Sequence, residues 1–189
     1  MTKKAFLLLT LILCLSVALI VAGCAEKDGE EVVEEKEEIV IGAARSYTGP
    51  LAIQDVSCFG PVYRMWIDEV NERGGIYVEE YGKRLPVRLL KYDDTSDMNT
   101  MTNLLKKLIV EDEVDFLLAP ISTAFLKAAA QICNEHNFLL IGAEGGAKEL
   151  EPLMAEMPYF FSLLNYATQQ AGPLVDMLAE HNIESAAII

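Results

Sequence analysis

The sequence has little of what nucleic-acid binding or zinc coordination requires. Only 15 of its 189 residues are Lys or Arg, against 29 Asp or Glu, which gives a formal net charge of −14. Phosphate contacts need clustered basic side chains, and the densest basic spots are the pairs Lys83-Arg84 and Lys106-Lys107. There are two histidines, and none of the four cysteines forms a C-x-x-C pair. We therefore expect no nucleic-acid partner and no metal site.

The N-terminus carries an apolar run that predicts export. Lys3 and Lys4 precede residues 5–21, which are apolar except for two hydroxyl residues and are marginal in length for a membrane span but usual for a secretory signal. The run continues into Val-Ala-Gly and then Cys24, a segment that resembles the lipobox of bacterial and archaeal lipoproteins. We predict a lipoprotein signal peptide over 1–23, lipidation at Cys24 and an extracytoplasmic location on the cell membrane. The alternative, an uncleaved anchor with an incidental cysteine, gives the same location.

An acidic segment, residues 24–38, follows the predicted signal peptide. It carries eight acidic and two basic residues and little that could be buried. Like charges keep such a segment solvated and extended. We interpret it as a linker that holds the folded part away from the membrane.

The remaining sequence alternates between strands and helices. Short apolar runs predict strands, and apolar residues at i, i+3 and i+4 spacing predict the helices between them. This order is typical of an α/β fold with a Rossmann-like parallel sheet and helices on both faces. The predicted strands lie at residues 39–43, 86–92, 114–119, 138–142 and 159–164, and a further strand begins at 185. The last strand has no partner after it, so we expect the chain to be a truncated piece that lacks a second lobe.

Ligands of open parallel sheets bind at the carboxyl ends of the strands. The loops at that edge are predicted to be 44–50, 93–97, 120–123 and 143–146. No nucleophile elbow, phosphate loop or paired carboxylates at strand ends is visible. The chain is therefore predicted not to be an enzyme, with no catalytic residues and no cofactor.

Several segments resemble extracellular solute-binding proteins of the ABC transporters for branched-chain amino acids and amides. They are Ile39-Val40-Ile41-Gly42 with Thr48-Gly49-Pro50, then residues 68–76 (DEVNERGGI), residues 92–97 (YDDTSD), and residues 114–120 (VDFLLAP) followed by Ser122-Thr123. Their order and spacing are those of the family, over about residues 38–189.

The resemblance implies the first lobe of a two-lobed type I periplasmic-binding protein, with residues 39–164 as that lobe and 165–189 as the crossover and the start of the second lobe. In the family a ligand binds in the cleft, the lobes close, and the closed form docks on an ABC permease. The implied function is a lipid-anchored solute-binding protein that delivers an amino acid, an amide or a related carboxylate to an importer. A ligand-sensing ectodomain of a signalling system is the alternative, and a lipid anchor without a second span favours the importer.

The best candidates for ligand contact are Ser122 and Thr123. They lie where the third strand meets a helix, so two hydroxyls and the free N–H groups of a helix N-terminus are together there. The resemblance implies that these positions hold the carboxylate of an amino acid. Ordinary capping of the helix by Ser122 is the alternative.

The loop after the fourth strand supplies Glu144, Gly145 and Gly146. The resemblance implies a backbone carbonyl and a hydroxyl here, but the last position is glycine, which argues against a plain leucine-type ligand. Glu144 could meet a cationic or hydroxylated ligand group, or be a solvated charge at a helix start. The two glycines would let the backbone approach a ligand closely.

The loop after the first strand adds Ser46, Tyr47 and Thr48 to the predicted site. Tyr47 could stack on an apolar part of the ligand or pack under its own loop. Tyr166, at the crossover, could line the cleft or pack at the hinge.

Three other groups are given structural roles. The segment with Asp93, Asp94 and Asp97 lacks the glycine and the final glutamate of a calcium loop. These aspartates are predicted to cap a helix and to be solvated. Trp66 is predicted to be core. Cys58 and Cys133 could form a disulfide only if they come within bridging distance, whereas the disulfide that the resemblance implies is absent, because serine stands at 96 and 122.

Overall fold

The computed structural model describes residues 35–183 and residue 185. The predicted signal peptide, the lipidation site, most of the acidic linker and the last predicted strand after Ser185 lie outside this part. Within it, no helix has both the length and the apolar character needed to span a membrane.

The described residues form seven strands and five α-helices of more than three residues. A helical turn at Ala52–Gln54 and a π-helical turn at Asp55–Phe59 precede the first of these helices. The elements are β1 (Ile39–Arg45), α1 (Gly60–Glu72), β2 (Ile76–Val78), β3 (Lys83–Leu85), β4 (Val87–Asp93), α2 (Met98–Val110), β5 (Phe116–Leu118), α3 (Thr123–Glu135), β6 (Leu140–Gly142), α4 (Glu151–Glu156), β7 (Phe160–Ser162) and α5 (Ala167–Glu180).

The predicted parallel sheet is confirmed. β1 pairs in parallel with β4 on one side and β5 on the other, so that Ile41 lies opposite Leu89 and Phe116. β6 and β7 form a second parallel pair, and β6 packs beside β5. The carboxyl ends of β4, β1 and β5 therefore lie at one edge of their sheet, and those of β6 and β7 lie side by side in the second pair.

Helices cover both faces of this sheet because the side chains of β1 alternate between two cores. Ile39 and Ile41 pack with Ile67 of α1 in one core. Ala44 belongs to the other core, which contains the buried faces of α2 and α3. A strand that is buried on both faces has a continuous run of apolar residues in its sequence, which is why the strand positions could be predicted.

Three short segments end or begin the helices and connect the strands. Gly74 and Gly75 end α1 with positive φ values of 86° and 89°. A Cβ on Gly75 would lie 2.1 Å from the carbonyl oxygen of Leu85, so only glycine fits there. β2 and β3 form an antiparallel hairpin. The predicted capping by Asp97 is confirmed, because its side chain accepts a hydrogen bond from the amide of Thr100 at the start of α2.

The prediction that Trp66 is core is wrong, because 44% of its surface is exposed. The prediction rests on apolar spacing along one uninterrupted helix between the first two predicted strands. The π-helical turn before Gly60 changes the phase, and Ile67 is the buried residue of α1. Val62 and Trp66 consequently lie on an exposed side of the helix.

Cys58 and Cys133 are both free cysteines, so the possible disulfide between them is not formed. Cys58 is exposed in the π-helical turn, whereas Cys133 is fully buried in α3. Their helices pack against different faces of the sheet, which explains why they do not meet.

Candidate ligand-binding site

The loop after β1 is held by two aspartates that follow β4. Asp93 accepts hydrogen bonds from the amides of Tyr47 and Thr48, and from the Thr48 hydroxyl at 2.7 Å. The hydroxyl of Ser46 donates to Asp94 Oδ1 at 2.6 Å, and both of these side chains are fully buried. The donors of Ser46 and Thr48 are therefore engaged within the protein.

The two neighbouring aspartates have opposite pKa shifts. Burial alone would raise the pKa of Asp93, but hydrogen bonds from the Thr48 side chain and from three amides lower it. Burial raises the pKa of Asp94, and its Oδ2 is buried without a hydrogen-bond partner in the structure. Together the two aspartates hold the conformation of the loop after β1. The predicted solvation is wrong for Asp94, which is fully buried.

Ser122 and Thr123 lie, as predicted, at the N-terminus of α3. Ser122 is the N-cap residue, and its hydroxyl accepts a long hydrogen bond of 3.4 Å from the amide of Phe125. Its φ of 81° is unusual for a residue with a side chain. Thr123 is half-buried, and none of the hydrogen bonds in the described part of the chain involves its hydroxyl. This hydroxyl is thus a donor that a ligand could use.

The glycine loop lies directly beside this helix start. A Cβ on Gly145 would be 3.2 Å from Cα of Thr123 and 2.9 Å from Leu150. The absence of a side chain at Gly145 therefore allows the loop to pack against the start of α3 and against Leu150. Gly146 has more room, since its nearest neighbour would be Leu164 at 3.3 Å. Only Gly146 leaves space for close approach of a ligand to the backbone.

Tyr166 belongs to the core and not to an open surface. It is 5% exposed, and its hydroxyl lies 3.9 Å from the sulfur of Met154. It also precedes α5, where Gln169 accepts a hydrogen bond from its amide. Of its two predicted roles, the structure agrees with packing.

Beneath these loops lies a buried ionic cluster that the sequence analysis missed. The guanidinium of Arg45 is fully buried and donates to Asp55 Oδ1 at 2.5 Å and to the carbonyl oxygen of Ala119 at 2.5 Å. It also donates two hydrogen bonds to Glu144, at 2.8 and 2.9 Å. One side chain thus joins the ends of β1 and β5, the π-helical turn and the loop after β6.

Aromatic rings and an additional hydrogen bond complete this cluster. The guanidinium carbon of Arg45 lies 5.1 Å from the ring centroid of Tyr63 and 5.8 Å from that of Phe59. The hydroxyl of Tyr63 donates to Glu144 at 2.6 Å. Burial alone would lower the pKa of Arg45, but the hydrogen bonds and charges of Glu144 and Asp55 raise it, so the guanidinium stays charged.

The alternative reading of Glu144 as a solvated charge is wrong. Its side chain is 2% exposed, and both of its oxygens accept hydrogen bonds from Arg45. A ligand that contacts the Glu144 carboxylate would have to compete with this pair. The signal that could have revealed the cluster is a lone arginine at the end of an otherwise apolar strand, since a buried charge needs a partner.

Among residues 35–183, no group of three or more metal-ligating side chains comes together. The polar groups of the candidate site are hydroxyls, backbone amides and the Arg45 cluster. It has the elements of a binding site: a helix N-terminus, an unpaired hydroxyl and an adjacent glycine loop.

A model of the periplasmic binding protein family matches residues 38–189. Solved structures with a similar fold include an ABC transporter substrate-binding protein from Desulfitobacterium hafniense in complex with Leu, at 21% identity and a TM-score of 0.63, covering 77% of this chain and 39% of that one. Another is the branched-chain amino acid transporter substrate-binding protein LivJ from Streptococcus pneumoniae with isoleucine, at 18% identity and a TM-score of 0.59, covering 69% of this chain and 34% of that one.

A third similar structure is a solute-binding protein of an ABC transporter from Rhodopseudomonas palustris in complex with 3,4-dihydroxybenzoic acid. It is 18% identical, with a TM-score of 0.54, and the match covers 78% of this chain and 38% of that one. The chain thus spans 34% to 39% of the length of these three structures. None of the three is named as an enzyme, and at such identities the likeness concerns the fold.

Proposed function

We propose that this chain, which belongs to the periplasmic binding protein family, binds a small solute at the carboxyl edge of its sheet for an ABC importer. The observation that carries the proposal is the position of Thr123. Its hydroxyl belongs to the first residue of α3 and has no hydrogen bond within the described residues, and its Cα lies close to Gly145. Such a helix start favours an anionic group.

The solute class follows from this chemistry. A carboxylate can accept from the Thr123 hydroxyl and from the amides at the start of α3 at the same time. The similar structures named above hold Leu, isoleucine and an aromatic acid, all of which carry a carboxylate. We infer an amino acid, an amide or a related carboxylate as the solute.

The location and partners belong to the same proposal. Residues 39–164 form the first lobe, residues 165–189 lead into the second, and closure of the two presents the protein to a permease. A diacylglycerol on Cys24 anchors the protein to the membrane. Mass spectrometry of the membrane-extracted protein tests this anchor, and a Cys24→Ala variant should accumulate as precursor. Unchanged processing in that variant would argue against the lipobox.

The binding proposal is tested by Thr123→Val, which removes one donor and keeps the shape of the side chain. A charge-assisted hydrogen bond contributes about 1.5–3 kcal/mol, so affinity should fall about tenfold or more while the melting temperature stays nearly unchanged. Calorimetry of the full-length protein with leucine, isoleucine and 3,4-dihydroxybenzoic acid gives the affinities. Thr102→Val in α2, whose hydroxyl donates to the carbonyl of Asn99, is the matched control. Equal binding by wild type and Thr123→Val would exclude this helix start from the site.

A further inference from the structure

A separate cavity of about 120 Å³ lies between the start of α1 and the sheet. Tyr47 and Tyr63 line it together with aliphatic side chains of β4 and β5. Asp55 supplies a buried carboxylate, and the exposed residues Arg64 and Lys91 add two positive charges. The cavity therefore combines an acidic interior, aromatic rings and basic residues at the surface.

The acceptor inside the cavity is Asp55. The π-helical turn begins at this residue, and its side chain is 3% exposed. The structure gives one hydrogen bond to this carboxylate, from Arg45 to Oδ1. Oδ2 therefore keeps its capacity to accept a hydrogen bond from a ligand. A Cβ on Gly60 would lie 2.9 Å from Oδ2, so glycine at this position keeps the carboxylate accessible.

The inner part of the cavity favours positive charge. Arg45 faces two carboxylates, Asp55 and Glu144, so these three side chains together carry one net negative charge. Burial and then the charge of Asp55 raise the pKa of Tyr47 well above its ordinary value, which indicates a negative field at this ring. The phenol stays protonated, and no hydrogen bond of its hydroxyl occurs among the described residues.

The outer part of the cavity favours negative charge. The ammonium of Lys91 lies 4.6 Å from the ring centroid of Tyr47, in the range of a cation–π contact, and Arg64 lines the same cavity. A ligand with only a positive charge would be repelled by these two residues. A ligand with only a negative charge would meet Asp55.

We propose that this cavity binds the zwitterionic end of a small α-amino acid, with the ammonium at Asp55 and Tyr47 and the carboxylate at Lys91 and Arg64. Its volume admits several waters but is well below the roughly 300–1,000 Å³ of pockets for larger ligands, which restricts the ligand to a small one. The cavity shares Tyr47 with the site predicted from the sequence but contains neither Ser122 nor Thr123, so it is separate from the helix start at which the solute is proposed to bind.

The test compares three probes of similar size: glycine, ethylamine and acetate. The ring signals of Tyr47, assigned by comparison with Tyr47→Phe, are followed by NMR during titration of the full-length protein. We expect saturable shifts with glycine, and binding by ethylamine and acetate at least tenfold weaker. Equal binding of ethylamine and glycine, or no shift with glycine, would overturn the proposal.

Two variants test which residue binds the carboxylate of glycine and which binds its ammonium group. Lys91→Gln, at an exposed position, should weaken glycine binding about threefold to fivefold and leave ethylamine binding equal or stronger. Asp55→Asn should weaken glycine binding tenfold or more. Because loss of the Asp55 charge also affects Arg45, its fold is checked by a melt, and Lys91→Gln decides the result if Asp55→Asn does not fold. Unchanged preferences in Lys91→Gln would contradict the proposal.

Two control variants separate this cavity from other sites. Asp68→Asn removes an exposed carboxylate of the same helix that does not line the cavity, and it should leave the glycine titration unchanged. Thr123→Val should weaken binding at the proposed solute site and leave the shifts of Tyr47 unchanged. If Thr123→Val instead abolished those shifts, glycine would be bound at the solute site and the cavity would not be a separate one.

Discussion

Arg45 and Glu144, 99 positions apart in the sequence, form a buried pair joined by two hydrogen bonds. The pair connects the first strand of the sheet to the loop beside Thr123. Glu144 belongs to the same loop as Gly145, which lies against the start of α3. The position of the candidate ligand loop therefore depends on a side chain that has no direct part in the proposed ligand contact.

We predict that Arg45→Met destabilises the protein by about 3–5 kcal/mol, because it leaves the Asp55 and Glu144 carboxylates buried without a partner. Urea unfolding followed by circular dichroism measures this loss. The double variant Arg45→Met with Glu144→Gln should recover part of it, since one orphaned charge is removed.

Arg73→Met is the matched control for this prediction. Arg73 pairs with Glu69 on the surface of α1, with 73% of its side chain exposed, so its loss should cost about 0–1 kcal/mol. A loss of stability in Arg45→Met no greater than in Arg73→Met would show that the buried cluster does not stabilise the fold.

The sequence predicted the strands and the candidate donor, but it did not predict the Arg45–Glu144 pair or the exposure of Trp66. Apolar runs predicted the strands, and the change from strand to helix at Ser122 predicted the candidate donor. Both could be predicted because each pattern is contained in a short stretch of sequence. The partner of Arg45 could not be found in this way, since pairing across 99 positions depends on the assembled sheet. The exposure of Trp66 was missed because a π-helical turn leaves no mark in apolar spacing.

Asp93 and Asp94 should make opposite contributions to the pH dependence of stability. The pKa of Asp93 is lowered by folding, so its stabilising contribution is present above the unfolded value of about 3.9 and is lost as the pH falls below it. The stability difference between wild type and Asp93→Asn should therefore shrink on acidification below about pH 4. Urea unfolding at a series of pH values measures it.

For Asp94 the sign is reversed, because burial raises its pKa in the folded protein. The folded state binds the proton more tightly than the unfolded state, so the stability of wild type relative to Asp94→Asn should rise as the pH falls from 7 toward about 4. Asparagine keeps an acceptor for Ser46 and Ser96, which makes the comparison one of charge. If acidification changed the stability of wild type relative to Asp93→Asn and relative to Asp94→Asn in the same direction, the assigned pKa shifts would be contradicted.

The two cysteines of the described part should differ sharply in reactivity. Burial raises the pKa of Cys133 to about 12, so it has almost no thiolate at neutral pH, whereas Cys58 is exposed. We predict that iodoacetamide labels Cys58 in the folded protein and labels Cys133 only after unfolding, as measured by peptide mass spectrometry. Labelling in denaturant, where both thiols should react, is the control. A peptide pair linked through Cys58 and Cys133 under non-reducing conditions, or equal labelling rates in the folded protein, would contradict the structure.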